Sequence, residues 1–487
     1  MTDNHRKSLT NSDRQFERAG FTWLIVLLAI VALFGGSSRT DPPQLIALRA
    51  LTGLMIIPLI FYWPQRRPGG FGLPGLLSLA LAGWTALQLL PLPPALWTLL
   101  PGRDIVAAMD AAANLDGMWR PISLAPGRTL NALFGLIVPG VGLLLYAIFR
   151  PERRHVLRML VGVGAANALL GLLQLLGPDN GVLYLFSITN PGYPVGFFAN
   201  HNHSAVFSAL TLLIAGYCLA DTMRRRREKP VEQGALLVCF ALIFLVAISG
   251  GSRAGLGATL VSLVLSAAMV LTAIRGHKRT VQASRNDGLL RFAKNPRVLL
   301  ALLVIVLGAL FMLIDRIPAL ERFTAGGDIE ELRWRLLPHL LDMVRQYWLT
   351  GTGFGSFDAV YKIHEPTGLA QPTYLNQAHN DWAQLIIEGG LPAAALLIVL
   401  IISSARRIRE MGRRNGGLMP ILLWSGVVAV IALGSLFDYP LRTPLFQLVA
   451  IWLVSLLFSS RSAEAVASAV PANRGAGKSF AFDPARG

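Results

Sequence analysis

Charge is scarce in this chain, and acid is the scarcer sign. Of 487 residues only 15% are charged, and 27 Asp and Glu stand against 44 Lys and Arg. So little charge excludes the string of soluble domains that the length alone would allow. Cysteine is nearly missing as well. Cys218 and Cys239 both lie in apolar runs, so neither a disulfide framework nor a metal-thiolate spacing is available. No Walker loop, dinucleotide fingerprint or nucleophile elbow occurs, which sets aside the enzyme classes built on them. The net charge of +17 is no nucleic-acid signature, because the basic residues fall in short runs between apolar segments.

What the chain has is hydrocarbon. Hydrophobic residues make up 53% and mean hydropathy is +0.53, the composition of a polytopic membrane protein. Apolar segments long enough to span run at 20–36, 44–63, 72–92, 129–148, 156–177, 203–221, 233–249, 254–274, 297–315, 380–403, 418–437 and 444–460, twelve in all. With residues 1–19 in the cytoplasm, the runs PQRRPGG, RPERRHV, RRRREK and ARRIREMGRR all fall inside, as the positive-inside rule requires. The basic leader and short first apolar run resemble a signal peptide, but no small-residue cleavage site follows. Residues 20–36 are therefore read as an uncleaved first helix. The transmembrane domain covers 20–460, with a long external connection at 316–378, and 461–487 forms a disordered cytoplasmic tail rich in Ala, Gly, Ser and Pro. A connection of that length calls for helices of its own. Leu332, Leu336, Leu340 and Met343 have helical spacing around Pro338, which predicts a helical lid bent at the proline.

In that topology the unusual polar residues gather on the external side. GFFANHNHSAVF (196–207) opens one helix, carrying Asn200, His201, Asn202 and His203. SGGSRAGLGATL (249–260) is a tight turn with Ser252 and Arg253, ELRWRLLP (331–338) lies in the long connection, and FDYPLRTP (437–444) is the last outer turn. QAHNDWAQ (377–384) opens the helix that carries Glu388 two turns below Asp381. Asn202, Ser204 and Asn380 suit ordinary helix caps, and Asp381 suits a helix dipole. Glu388, by contrast, either pairs with a buried arginine or stays protonated, because an unpaired charge at that depth is expensive. Arg253 sits in a glycine-framed turn leading into a helix N-terminus, an arrangement that suits an anion, phosphate above all. Arg333 and Arg335 lie two apart and cannot share one helical face, so one points into the site and the other away. Arg49 and Arg442 would add positive potential. His201-x-His203 could join His364 or His379 around zinc only if extended, and no metal is expected.

Taken together, FFANHNHSA, SGGSRAGL, LRWRLLP followed by GTGFGSFDAVYKIHEP, and HNDWAQLIIEGGL resemble the O-antigen ligase and O-antigen polymerase superfamily of bacterial inner-membrane glycosyltransferases. The motifs span roughly Asn200 to Leu391. The resemblance implies an all-α, GT-C-like membrane fold with a periplasmic helical lid. It implies transfer of a glycan from undecaprenyl pyrophosphate to an acceptor hydroxyl, with no cofactor. The acceptor would be a glycolipid such as lipid A-core, a growing polysaccharide or a protein. By likeness Arg253 grips the pyrophosphate, Arg333 or Arg335 assists from the lid, and His379 activates the acceptor. Asn380 and Glu388 are expected to orient the histidine or the lid, and Gly351 and Gly353 to let the lid flex. A transporter is the competing class. It should show inverted halves and interrupted helices near the midplane, whereas here the polar residues collect at one face.

Overall fold

The computed structural model describes residues 11–39, 42–63, 71–178, 181–224, 230–280, 328–369, 375–415 and 417–459. The expected ninth span at 297–315, the start of the long connection and the tail lie outside the described residues. Helices dominate: α1 (Asn11–Phe34), α2 (Gln44–Leu54), α3 (Ile56–Tyr62), α4 (Gly72–Leu87), α5 (Pro94–Trp97), α6 (Asp104–Ala112), α7 (Pro126–Gly135), α8 (Ile137–Phe149), α9 (Arg153–Leu176), α10 (His201–Arg224), α11 (Pro230–Ser249) and α12 (Arg253–Thr280). After the undescribed stretch come α13 (Asp328–Tyr347), α14 (Phe357–His364), α15 (Asp381–Asn415), α16 (Leu418–Phe437) and α17 (Pro444–Phe458). A two-residue antiparallel ladder, β1 (Pro91–Leu92) with β2 (Arg120–Pro121), closes the 88–122 connection. The protein is an all-α polytopic membrane protein. Nine spans among the described residues have the length and apolarity to cross a bilayer, and α4 and α17 are shorter apolar helices.

Helix α10 is the axis of the bundle. Its spanning window is 94% buried, against 28–44% for the other eight. A central helix that is apolar all round has no polar face to offer solvent. It packs against α9, α11, α12 and α16, while α17 and α1 pack on α8.

Three segments read as continuous from hydropathy are broken, and one rule accounts for all three. A proline cannot donate to the carbonyl four residues before it. Pro58 leaves Leu54 without a partner, and α2 ends there. Pro139 does the same to Gly135, the last residue of α7. Pro392 frees the Glu388 carbonyl, and α15 kinks at Gly390 with φ 62°. An interrupted helix in a membrane must satisfy its freed carbonyls elsewhere. Here Thr352 N donates to Ile387 O at 2.9 Å, Gly353 N to Glu388 O at 2.9 Å, and Leu391 N to Leu349 O at 3.2 Å. The buried Gln88 side chain at the end of α4 adds a bond to Glu388 O at 2.9 Å, and Trp84 Nε1 reaches Gly389 O at 2.7 Å.

The GTGFG segment is thus clamped onto the kink, and the expectation that it flexes is corrected. Gly351 and Gly353 have φ of 71° and 99°. A Cβ on Gly351 would collide with the Glu388 carbonyl, and one on Gly353 with the Ser123 hydroxyl. These glycines provide close approach and left-handed geometry rather than mobility. Above the clamp, Leu336, Leu340, Met343 and Tyr347 of α13 bury against Phe357, Val360 and Tyr361 of α14 and Ile387 of α15. A helix therefore stands where the lid is expected, and Leu336, Leu340 and Met343 of the expected stripe form its buried face, with Pro338 inside it; the Leu332 side chain lies outside the described residues. Gly351→Val should lower stability by at least about 1–3 kcal/mol from backbone strain alone. The shift is readable as a drop in the thermal unfolding midpoint of detergent-purified protein, and an unchanged midpoint would contradict the clamp.

Candidate functional site

The start of α10, the 250–252 turn before α12, the start of α15 and the turn between α16 and α17 meet at one end of the bundle. Asp438 ties three of these elements together. It follows α16 immediately, its side chain is 1% exposed, and its Oδ1 lies 3.4 Å from His379 Nδ1 and 3.6 Å from His203 Nε2. The Tyr439 ring stands edge-on to both imidazoles at 4.8 Å. Burial alone would raise the Asp438 pKa. The hydrogen-bonding and charge of His203 and His379 outweigh it and hold the carboxyl well below the ordinary range. Asp438 is therefore an anion between two imidazoles.

His379 is the more accessible of the two, at 19% side-chain exposure against 1% for His203. Its backbone is left-handed, with φ 51°, a conformation that a non-glycine residue adopts only when its surroundings impose it. The surroundings do so from both sides. Asn380 Oδ1 accepts from Trp382 N and Ala383 N, each at 3.0 Å, and so caps α15. Asp381 N donates to Asp438 O at 3.3 Å. An Nδ1–H donated to Asp438 would leave the ring lone pair on Nε2, the tautomer a general base needs.

A buried ion cluster lies directly beneath. Arg442 Nη1 is 2.5 Å from Glu388 Oε2, and its Nε is 3.4 Å from Asp381 Oδ1. Glu388 Oε1 also accepts from Gln384 Nε2 at 3.0 Å and from Phe357 N at 3.2 Å, the first residue of α14. Asp381 Oδ2 accepts from Ser435 Oγ at 3.0 Å and Leu441 N at 3.2 Å. Burial would lower the Arg442 pKa, but Glu388 and Asp381 more than offset it. Of the two alternatives for Glu388, pairing with an arginine is the one found. Arg442 is corrected from a source of positive potential to a neutralised strut, because two carboxylates already surround it. Glu388 reaches the lid helix α14, whereas Asn380 serves as a cap and Asp438 is the group beside the histidine.

The remaining residues sort by their partners. Ser252 Oγ accepts from Gly255 N at 3.0 Å, capping α12. Arg253 is exposed at that helix start, and Gly250 and Gly255 abut Ala205 of α10, so Arg253 and His379 lie at the same end. Asn200 Oδ1 accepts from Asn202 N at 2.8 Å, so the cap of α10 is Asn200 rather than Asn202. Ser204 is no cap either: its Oγ accepts from Asn167 Nδ2 at 3.1 Å. His201 hydrogen-bonds Asn190 Oδ1 at 3.0 Å and stacks on Tyr193 at 4.5 Å, away from the Asp438 pair. Both His201 and His203 are helical. His364 meets Tyr347 Oη at 2.8 Å, and no cluster of three metal-ligand side chains forms among the described residues. Arg335 is exposed on α13; the Arg333 side chain lies outside the described residues. Arg49 donates to Asn131 O at 3.0 Å. Asp438 was not singled out from sequence, although an acid in a short turn between two apolar helices is itself a signal.

These features define a membrane protein with a polar mouth at one end, holding an Asp-oriented histidine and an accessible arginine. Residues 235–398 match the family model described as O-antigen ligase. The match covers the stretch from α11 to the middle of α15 and supports the O-antigen ligase and polymerase superfamily, with a ligase- or polymerase-type function in glycan assembly. No curated protein matches the chain.

Removing one partner of the buried cluster should be severe. Arg442→Ala leaves two buried carboxylates uncompensated and should cost about 3–5 kcal/mol, whereas Arg442→Met combined with Glu388→Gln and Asp381→Asn should recover much of that loss. Thermal unfolding of the two variants gives the comparison. Asp438 titrates below its unfolded value, so its stabilisation is complete above about pH 4 and is lost as pH falls further. The gap in unfolding midpoint between wild type and Asp438→Asn should persist down to that pH and then close. Closure already at pH 6 would contradict an ionised Asp438.

Proposed function

We propose that the protein is a glycosyltransferase of the bacterial inner membrane whose mouth faces the periplasm. It moves a glycan from undecaprenyl pyrophosphate to an acceptor hydroxyl in surface polysaccharide assembly, in the manner of an O-antigen ligase. The observation that carries this reading is the Asp438–His379 pair at the end of the bundle where Arg253 also lies. The acceptor O–H loses its proton to His379 Nε2 as its oxygen bonds the anomeric carbon. The bond from that carbon to the pyrophosphate oxygen breaks, and the lipid pyrophosphate leaves with the electron pair. A pyrophosphate is already a competent leaving group, so its developing charge calls for cations rather than a general acid. Arg253 supplies one guanidinium, and Arg333 or Arg335 on the lid helix supplies another. Asp438 fixes the tautomer of His379 and stabilises the imidazolium that forms. The lipid A-core of lipopolysaccharide is the acceptor class of a ligase, and a polymerase or a protein-glycosylating enzyme would differ in that substrate alone.

A transfer assay with purified protein, lipid-linked glycan and a panel of acceptors tests the reading. His379→Ala should reduce turnover about 10²–10⁴-fold, the usual share of a general base, while donor binding is retained. Arg253→Ala should weaken both donor binding and turnover, and chelators should leave the wild-type rate unchanged. Wild-type activity in His379→Ala would remove the histidine from the chemistry. Chelator sensitivity would require a metal.

A further inference from the structure

A cluster of buried donors lies at the end of the bundle opposite the polar mouth. Arg153 is the first residue of α9, where the leading backbone N–H groups lack helical partners and no side chain caps them. Its guanidinium is held between two aromatic rings, 5.2 Å from the centre of Tyr217 on α10 and 5.3 Å from that of Trp424 on α16. The Nε and Nη2 atoms, the two donors of one edge, are buried without a hydrogen-bond acceptor, and so is the indole Nε1 of Trp424. Buried donors are nearly always satisfied, and three orphans within one cluster call for an absent acceptor. The Nε–Nη2 edge is the fork that meets a phosphate or carboxylate through two parallel bonds.

Among the described residues, Glu232, the acid nearest along α11, is held by other arginines. Glu232 takes Arg154 at 2.8 Å and also Arg158. Depth agrees with a headgroup. Tyr217 lies fourteen residues from His203 along α10, about 21 Å at 1.5 Å per residue, which places the cluster near the far membrane surface. That is the end where the basic loops gather, and where interhelical basic sites meet lipid phosphates.

We propose that the Arg153–Trp424 cluster binds a phosphate group, presented by an anionic lipid headgroup of the leaflet opposite the polar mouth. The site is separate from the transfer chemistry. Its occupant completes the Arg153 edge and locks α9, α10 and α16 together.

Native mass spectrometry of the full-length protein in detergent tests this with phosphatidylglycerol, and thermal unfolding with inorganic phosphate runs beside it. Wild type should retain the lipid and unfold at a higher temperature in its presence. Arg153→Gln should weaken retention about tenfold or more, as expected when one charge-assisted contact is lost. Trp424→Phe, which keeps a ring over the guanidinium but removes the indole N–H, should weaken it less. If Arg153→Gln does not fold, Arg153→Lys keeps the charge, loses the planar edge and should show the same loss. Stabilisation by phosphate alone, dependent on Arg153, would support the site with a soluble source. Lipid and phosphate responses equal to wild type in the Arg153 and Trp424 variants would overturn it.

Discussion

The proline at 392 is the constraint from which the polar end is built. By denying the Glu388 carbonyl its helical partner it forces α15 to break at Gly390, and a break inside a membrane must be filled. The filling is specific. Backbone N–H groups of Thr352 and Gly353 and side chains of Gln88 and Trp84 reach the freed carbonyls. The 351–353 segment is thereby fastened to the helix that His379 precedes, and α4 to both. A broken helix is also what a transporter would show. Here the freed groups receive protein donors rather than opening toward a cavity, which keeps the enzyme reading ahead.

Above the break, charge is arranged in two tiers with different jobs. The lower tier sets the Arg442 guanidinium between the Asp381 and Glu388 carboxylates and is bonded outward to Ser435, Gln384 and the α14 backbone. Buried ion pairs of this kind add little net stability but penalise any rearrangement that separates them. They hold the turn between α16 and α17 against α15. The upper tier, Asp438 with His203 and His379, depends on that turn being held, because Asp438 and Arg442 share it. A left-handed His379 between a helix cap and this carboxylate is strain imposed by fixed neighbours, the condition under which such strain persists at functional sites.

Much of this was legible in the sequence. Hydropathy marked the apolar helices, the spacing of Leu336, Leu340 and Met343 gave the buried face of α13, and polar motifs far apart in the chain met at one end. Three things were not. The helix breaks at Pro58, Pro139 and Pro392 were missed because apolar averages are blind to a missing N–H. The GTGFG glycines suggested freedom, but glycine serves close approach as readily as motion, and only the facing Glu388 carbonyl decides between them. Asp438 escaped notice because its meaning lies in being 3.4 Å from a histidine 59 residues earlier in the chain. Long-range pairing of this kind leaves no local pattern.

The central claim is that Asp438 and His379 act as one unit. A double-mutant cycle on turnover measures this directly, using His379→Ala, Asp438→Asn and the pair together. The account predicts that adding Asp438→Asn to His379→Ala leaves turnover essentially unchanged, although Asp438→Asn alone lowers it. Multiplicative losses, with the double variant slower than His379→Ala by the full Asp438→Asn factor, would contradict it.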